Sequence, residues 1–100
     1  MTLTGAYLAL GRQITDLANS GTIDGDRSLY YRRAGLARSV LRAAAEDRQD
    51  DASRLGCLLS TPIFSGPAAG KDWRPVAELA WKLGRQVLRA GAQAAQQRAA

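Results

Sequence analysis

Large apolar residues recur every three or four positions in three segments of this 100-residue chain, a period typical of helices with one buried face. The first such face, in residues 3–19, consists of Leu3, Tyr7, Leu10, Ile14 and Leu17. Similar faces follow in residues 27–48, where the face includes Val40 and Leu41, and from Trp73 onward, where it includes Val76 and Leu83. Alanine is abundant and β-branched residues are scarce, which favours helix over strand. The pattern predicts an all-α fold, a small bundle of three long helices plus one short helix.

Turn-forming and charged segments predict where these helices end. The sequence "NSG" at 19–21 ends the first helix, and "TIDGD" at 22–26 forms a turn in which Asp24 or Asp26 caps the second. A charged break at 46–51 precedes a short helix over about 52–60, in which Leu55, Leu58 and Leu59 are predicted to be buried. Residues 61–72 are predicted to form a loop, and 93–100 to fray. A chain this short, residues 1–100, is predicted to be a single helical domain.

Two glycines, Gly84 and Gly91, interrupt the apolar face of the last helix. A glycine inside a helix costs roughly 1 kcal/mol relative to alanine, so we expect another helix to cross closely at both positions. If that helix belongs to a second copy of the chain, this face would form a homodimer. The sequence alone does not decide whether this homodimer forms.

The sequence gives few groups for catalysis or metal binding. It contains no histidine and one cysteine, Cys57, which lies among leucines and is predicted to be buried. The segment "GPAAGKD" at 66–72 is one residue too short for a phosphate-binding loop and has Asp72 where the motif needs a hydroxyl. We therefore predict a protein that is not an enzyme and has no metal or cofactor.

The net charge is +5, and two basic faces are candidate binding surfaces. On the second helix Tyr30 is predicted to point inward, and Arg33 falls on the apolar face, where it must reach water or a carboxylate. The outer face carries the candidate binding residues Arg27, Tyr31, Arg32, Arg38 and Arg42. A second basic face, on the last helix, consists of Lys82, Arg85 and Arg89. Tyrosine between arginines suits both nucleic acid and protein partners, and an ordinary solvated helix face shows the same composition.

The sequence also lacks the features of a membrane or secreted protein. No segment has about 18 consecutive apolar residues, and the N-terminus has no basic start followed by an apolar block. We expect a cytoplasmic protein, with no membrane partner.

The stretch "SLYYRRAGLARSVL" at 28–41 is a candidate docking face within a small, Ala/Arg-rich, helical chain. In this general character the chain resembles the anti-CRISPR proteins encoded by phages and mobile elements, in particular those of the type I class. The resemblance implies a non-enzymatic inhibitor that binds a protein or ribonucleoprotein, here a CRISPR surveillance complex. Its arginines would meet acidic residues or RNA.

The net positive charge departs from the acidic, nucleic-acid-mimicking faces that are usual among such inhibitors. The resemblance implies that a local acidic group would instead meet the basic guide- or target-binding residues of the complex. Its members would be Asp24, Asp26, Asp47, Asp50 and Asp51. The alternative function is a basic nucleic-acid-binding accessory or regulatory protein.

Overall fold

The computed structural model describes residues 1–19, 27–60 and 73–99. These residues form α1 (Leu3–Asn19), α2 (Arg27–Ala45), α3 (Gln49–Ser60) and α4 (Arg74–Ala99). No strand occurs within these ranges, and the predicted all-α class is confirmed. The proposed caps Asp24 and Asp26 and the predicted loop 61–72 lie outside the described residues.

Two local features set the helix ends that the structure describes. At the start of α1, the Thr2 hydroxyl accepts a hydrogen bond from the Gly5 N–H at 3.1 Å, as an N-cap does. After α2, Asp47 has a φ of 59°, in the left-handed region. The Arg48 N–H then bonds the Ala43 carbonyl at 2.8 Å, and the Asp47 N–H bonds that of Ala44 at 3.2 Å. This is a Schellman motif, and it ends α2 earlier than the predicted residue 48.

Helix α2 lies at the centre of the packing, with its most extensive contacts to α4 and α3, while α1 rests mainly on α4. The largest fully buried side chains come from all four helices; they are Leu10, Val40, Leu41, Leu59 and Val76. The apolar faces predicted for α1, α2 and α4 thus supply most of the core.

The two glycines of α4 have different surroundings. A Cβ atom built on Gly84 would lie 2.5 Å from both the Ala44 Cβ and the Leu41 carbonyl oxygen, so α2 crosses α4 closely there, as predicted. A Cβ on Gly91 would meet nothing within 4 Å, and the prediction of a close crossing at Gly91 is wrong. Because α2 of the same chain covers Gly84, this glycine is not available to a second copy of the chain.

The exposed side of α3 differs from the prediction. Ala52 and Leu59 are buried and Leu55 is half-buried, but Leu58 is 43% exposed and Cys57 is also exposed. Residues three, four and seven positions apart share one helix face, and Cys57 and Leu58 both fall off the face that contains Ala52 and Leu59. The predictions that these two side chains are buried were therefore wrong.

Helix α4 continues through the segment that the sequence predicts to fray. The helix reaches Ala99, and the side chains of residues 91–98 are exposed. This part of α4 therefore has the helical conformation without contributing to the core.

Arg33 is buried on the core side of α2, with 6% of its surface exposed. Instead of reaching water, its guanidinium lies 5.5 Å from the centre of the Trp73 ring, as in a cation–π contact. Its Nε has no hydrogen-bond partner among the described residues. Burial lowers the pKa of the Arg33 guanidinium, which nevertheless stays protonated at all physiological pH values.

Replacing Arg33 with methionine should change the free energy of unfolding by less than about 1 kcal/mol, because two effects oppose each other. Removing a buried, unpaired N–H gains about 1–3 kcal/mol, and losing the cation–π contact costs about 0.5–2 kcal/mol. The thioether can still contact the Trp73 ring. Urea denaturation measures the change. Arg33→Ala also leaves a cavity, so it should lower the free energy of unfolding by about 2 kcal/mol. An equal decrease for Arg33→Met would contradict this account.

Candidate binding groove between the first two helices

An open groove with a volume of about 1000 Å³ lies between α1 and α2; we call it the α1–α2 groove. Three of the predicted binding residues, Tyr31, Arg38 and Arg42, line its α2 wall. Positions 31, 38 and 42 are seven and four residues apart, so they share one side of the helix. The structure therefore brings these three side chains to a single surface.

The two tyrosines of α2 differ in exposure, as predicted. Tyr31 is 67% exposed, whereas Tyr30 is half-buried and packs against the core. The Tyr30 ring contacts the Tyr31 ring edge to face at a centroid distance of 5.5 Å, and it contacts the Trp73 ring at 6.2 Å. Tyr31 is thus held on the groove wall by a chain of aromatic contacts that begins at buried Trp73.

One further described residue of the predicted outer face does not line the groove. Arg32 is exposed on α2 but does not line the groove. Arg27 is the first residue of α2, and its side chain is not among those that the structure describes. The predicted face is therefore narrower than the run of arginines in the sequence.

The α1 wall was not predicted. It includes Leu8, Gly11, Arg12 and Asp16, and Leu8 is 61% exposed. The signal in the sequence was Leu8 itself, a large apolar side chain that lies off the apolar stripe of α1. An exposed leucine alone is ordinary; it becomes informative because the fold places it in the same groove as Tyr31.

The groove offers apolar surface and guanidinium groups. The Thr15 hydroxyl donates to the Gly11 carbonyl at 2.9 Å, and the Ser39 hydroxyl donates to the Gly35 carbonyl at 3.0 Å. Both hydroxyl protons are thus used within their own helices. Among the described residues of the groove, the strong donors are Arg12, Arg38 and Arg42.

One of these arginines has an intramolecular partner. Arg42 Nε lies 3.3 Å from Glu46 Oε1, and the two side chains are 64% and 49% exposed. Exposed pairs of this kind contribute about 0–1 kcal/mol. Arg42 can therefore exchange Glu46 for a carboxylate of a partner at little cost.

Most of the acidic side chains after α2 are bound by arginines of the same chain. Arg48 bonds Glu46 at 3.0 Å and Asp51 at 3.1 Å, and Arg54 lies 3.4 Å from Asp51. Hydrogen bonding to Asp51, with a smaller contribution from Glu46, raises the pKa of Arg48. Two of the three described residues of the predicted acidic group, Asp47 and Asp51, thus have arginine partners within the chain, and Asp50 is exposed.

The second basic face is also divided. Arg85 is 30% exposed and lies 3.3 Å from Asp47 Oδ1, so it links α4 to the turn after α2. Lys82 and Arg89 are exposed but line neither this groove nor a smaller one of about 470 Å³ beside Cys57 and Trp81. The predicted face is reduced to two solvated cations.

Over the described residues, no three Cys, Asp or Glu side chains converge as a metal site requires. Nor does any helix in those ranges have an apolar stretch long enough to cross a bilayer. No family model, curated protein or solved structure matches this chain.

Proposed function

We propose that this chain is a non-enzymatic helical binding protein that inhibits a larger protein or ribonucleoprotein by occupying its surface. The observation that supports the proposal is the α1–α2 groove. It combines the exposed apolar side chains Leu8 and Tyr31 with the guanidinium groups of Arg12, Arg38 and Arg42. Tyrosine and arginine are enriched among the residues that dominate protein–protein binding energies.

The charges of the groove favour a protein partner over a nucleic acid. Asp16 lies in the same groove, and Glu46 is paired with Arg42 on its rim. Both carboxylates would repel a phosphate backbone. A nucleic acid is bound mainly by neutralising many phosphates, whereas a protein can place its own apolar and acidic groups individually.

The resemblance to anti-CRISPR proteins selects the first target to test, a type I surveillance complex in the bacterial cytoplasm. In this version of the proposal the chain binds the complex stoichiometrically and blocks its function without chemical turnover. The alternative is a nucleic-acid-binding accessory protein that uses Tyr31 and Arg38, which are both exposed on α2.

Reversing the groove charges tests the proposal. The double variant Arg38→Glu/Arg42→Glu should weaken binding and inhibition of the surveillance complex on the order of 30-fold or more, because two attractive contacts become repulsive. The control Lys82→Glu/Arg89→Glu has the same change in net charge and should stay within about threefold of the unaltered chain. Co-purification and inhibition assays, each with and without nuclease, measure both variants.

Other results would support the alternative or refute both. Binding that disappears with nuclease, falls steeply with salt and weakens equally in both double variants would indicate nucleic-acid binding. Catalytic turnover of a substrate, lost on changing one side chain, would contradict a non-enzymatic protein of either kind.

A further inference from the structure

We infer that the partner inserts an acidic amphipathic helix into the α1–α2 groove. The inference rests on the proposed function and specifies the part of the partner that the groove binds. Its apolar side chains would contact Leu8 and Tyr31, and its carboxylates would meet the arginines.

The length of the groove fits a helix of about three turns. Its walls extend from Thr4 to Asp16 on α1 and from Tyr30 to Arg42 on α2. Each wall therefore spans about 18 Å, at 1.5 Å per helical residue. This length accommodates apolar side chains at positions i, i+3 or i+4, and i+7 of a bound helix.

The small residues of the groove allow close approach. Gly11 lines the α1 wall, and a Cβ atom added there would meet nothing within 4 Å. Ala34 lines the opposite wall. A helix backbone can therefore come nearer to α1 than large side chains would permit, and larger apolar groups lie to either side, on Tyr7, Leu8 and Tyr31.

The charges of the groove favour a negatively charged partner helix. Among the described residues, three arginines and one aspartate line the groove, so these ionised side chains have a net positive charge. Acidic residues flanking the apolar stripe of the partner helix would meet Arg12, Arg38 and Arg42, and charge-assisted bonds between guanidinium and carboxylate are short and strong. The described residues contain no strand, so they offer no sheet edge to an extended peptide.

Synthetic peptides test the inference directly. The first probe is a 14-residue helical peptide with leucines at positions i, i+3, i+4 and i+7 and glutamates on either side of them. The second has lysine in place of each glutamate, and the third has serine in place of each leucine. Fluorescence anisotropy of the labelled peptides measures binding to the full chain. We expect the acidic amphipathic peptide to bind at least about 30-fold more tightly than either of the others.

Variants of the chain locate the binding. Arg38→Glu/Arg42→Glu should weaken the affinity of the chain for the acidic peptide by about 30-fold. Lys82→Glu/Arg89→Glu should change this affinity by less than about threefold. Equal affinity for the lysine peptide, or equal loss in both double variants, would overturn the inference. Two further probes are a 12-nucleotide single-stranded DNA and anionic lipid vesicles. If either bound more tightly than the acidic peptide, and Arg38→Glu/Arg42→Glu abolished that binding, the inference would also be overturned.

The inference and the proposed function fail in different ways. If the acidic peptide does not bind while Arg38→Glu/Arg42→Glu still abolishes inhibition of the surveillance complex, the partner helix is wrong and the proposed function survives. If the peptide binds in the groove but the chain inhibits no such assembly, the groove chemistry is right and the proposed function is wrong.

Discussion

Gly84→Ala should lower the free energy of unfolding by about 1–2 kcal/mol. The added methyl group would lie 2.5 Å from the Ala44 Cβ and from the Leu41 carbonyl oxygen. The second of these atoms is backbone and cannot move without displacing α2. Overpacking of this kind costs about 1–3 kcal/mol and sometimes more, which exceeds the roughly 1 kcal/mol gained by replacing a helical glycine.

Gly91→Ala is the matched control on the same helix. It makes the same chemical change at a position with nothing within 4 Å, so it should raise the free energy of unfolding by up to about 1 kcal/mol. Urea denaturation of the two variants and the unaltered chain measures both changes. Two variants of equal stability would show that α2 and α4 do not cross at Gly84.

Much of the core could be predicted from the sequence, because the spacing of apolar residues along a helix determines which of them share its buried face. Leu10, Val40, Val76 and Leu83 were placed on buried faces by the three-to-four-residue period alone, and all are buried. On α3 the period was less informative. That helix has 12 residues, and its run of apolar residues has more members than its one buried face can cover, so Leu58 was placed on the wrong side.

The end of α2 could not be predicted because no glycine marks it. Asp47 has the left-handed conformation that glycine adopts without strain. Its carboxylate lies 3.3 Å from Arg85 of α4, a contact between distant residues that no local pattern shows. The same contact divides the second basic face, which the sequence had presented as a continuous stripe.

The candidate site was predicted in part. The α2 wall followed from the helical spacing of Tyr31, Arg38 and Arg42. The α1 wall could not be predicted, because a sequence does not show which face of a neighbouring helix will lie opposite these residues. Leu8 and Gly11 acquire their role only when α1 is placed beside α2.

Gly11→Trp should abolish binding at the α1–α2 groove while leaving the fold intact. A Cβ at this position meets nothing within 4 Å, so the backbone of α1 tolerates a side chain. Replacing a helical glycine also gains a few tenths of a kcal/mol. The indole would occupy the space into which a partner must insert, and we expect binding to weaken on the order of 100-fold, since the buried centre of an interface tolerates such a block poorly.

Gly11→Ala is the matched control, because one methyl group leaves almost the whole groove open. The most direct test of the groove is the amount of host assembly that co-purifies with each variant, quantified beside its thermal unfolding. We predict that Gly11→Ala retains the assembly, and that Gly11→Trp loses it although its unfolding temperature is no lower than that of the unaltered chain. Equal retention by both variants would show that this protein binds its target through another surface.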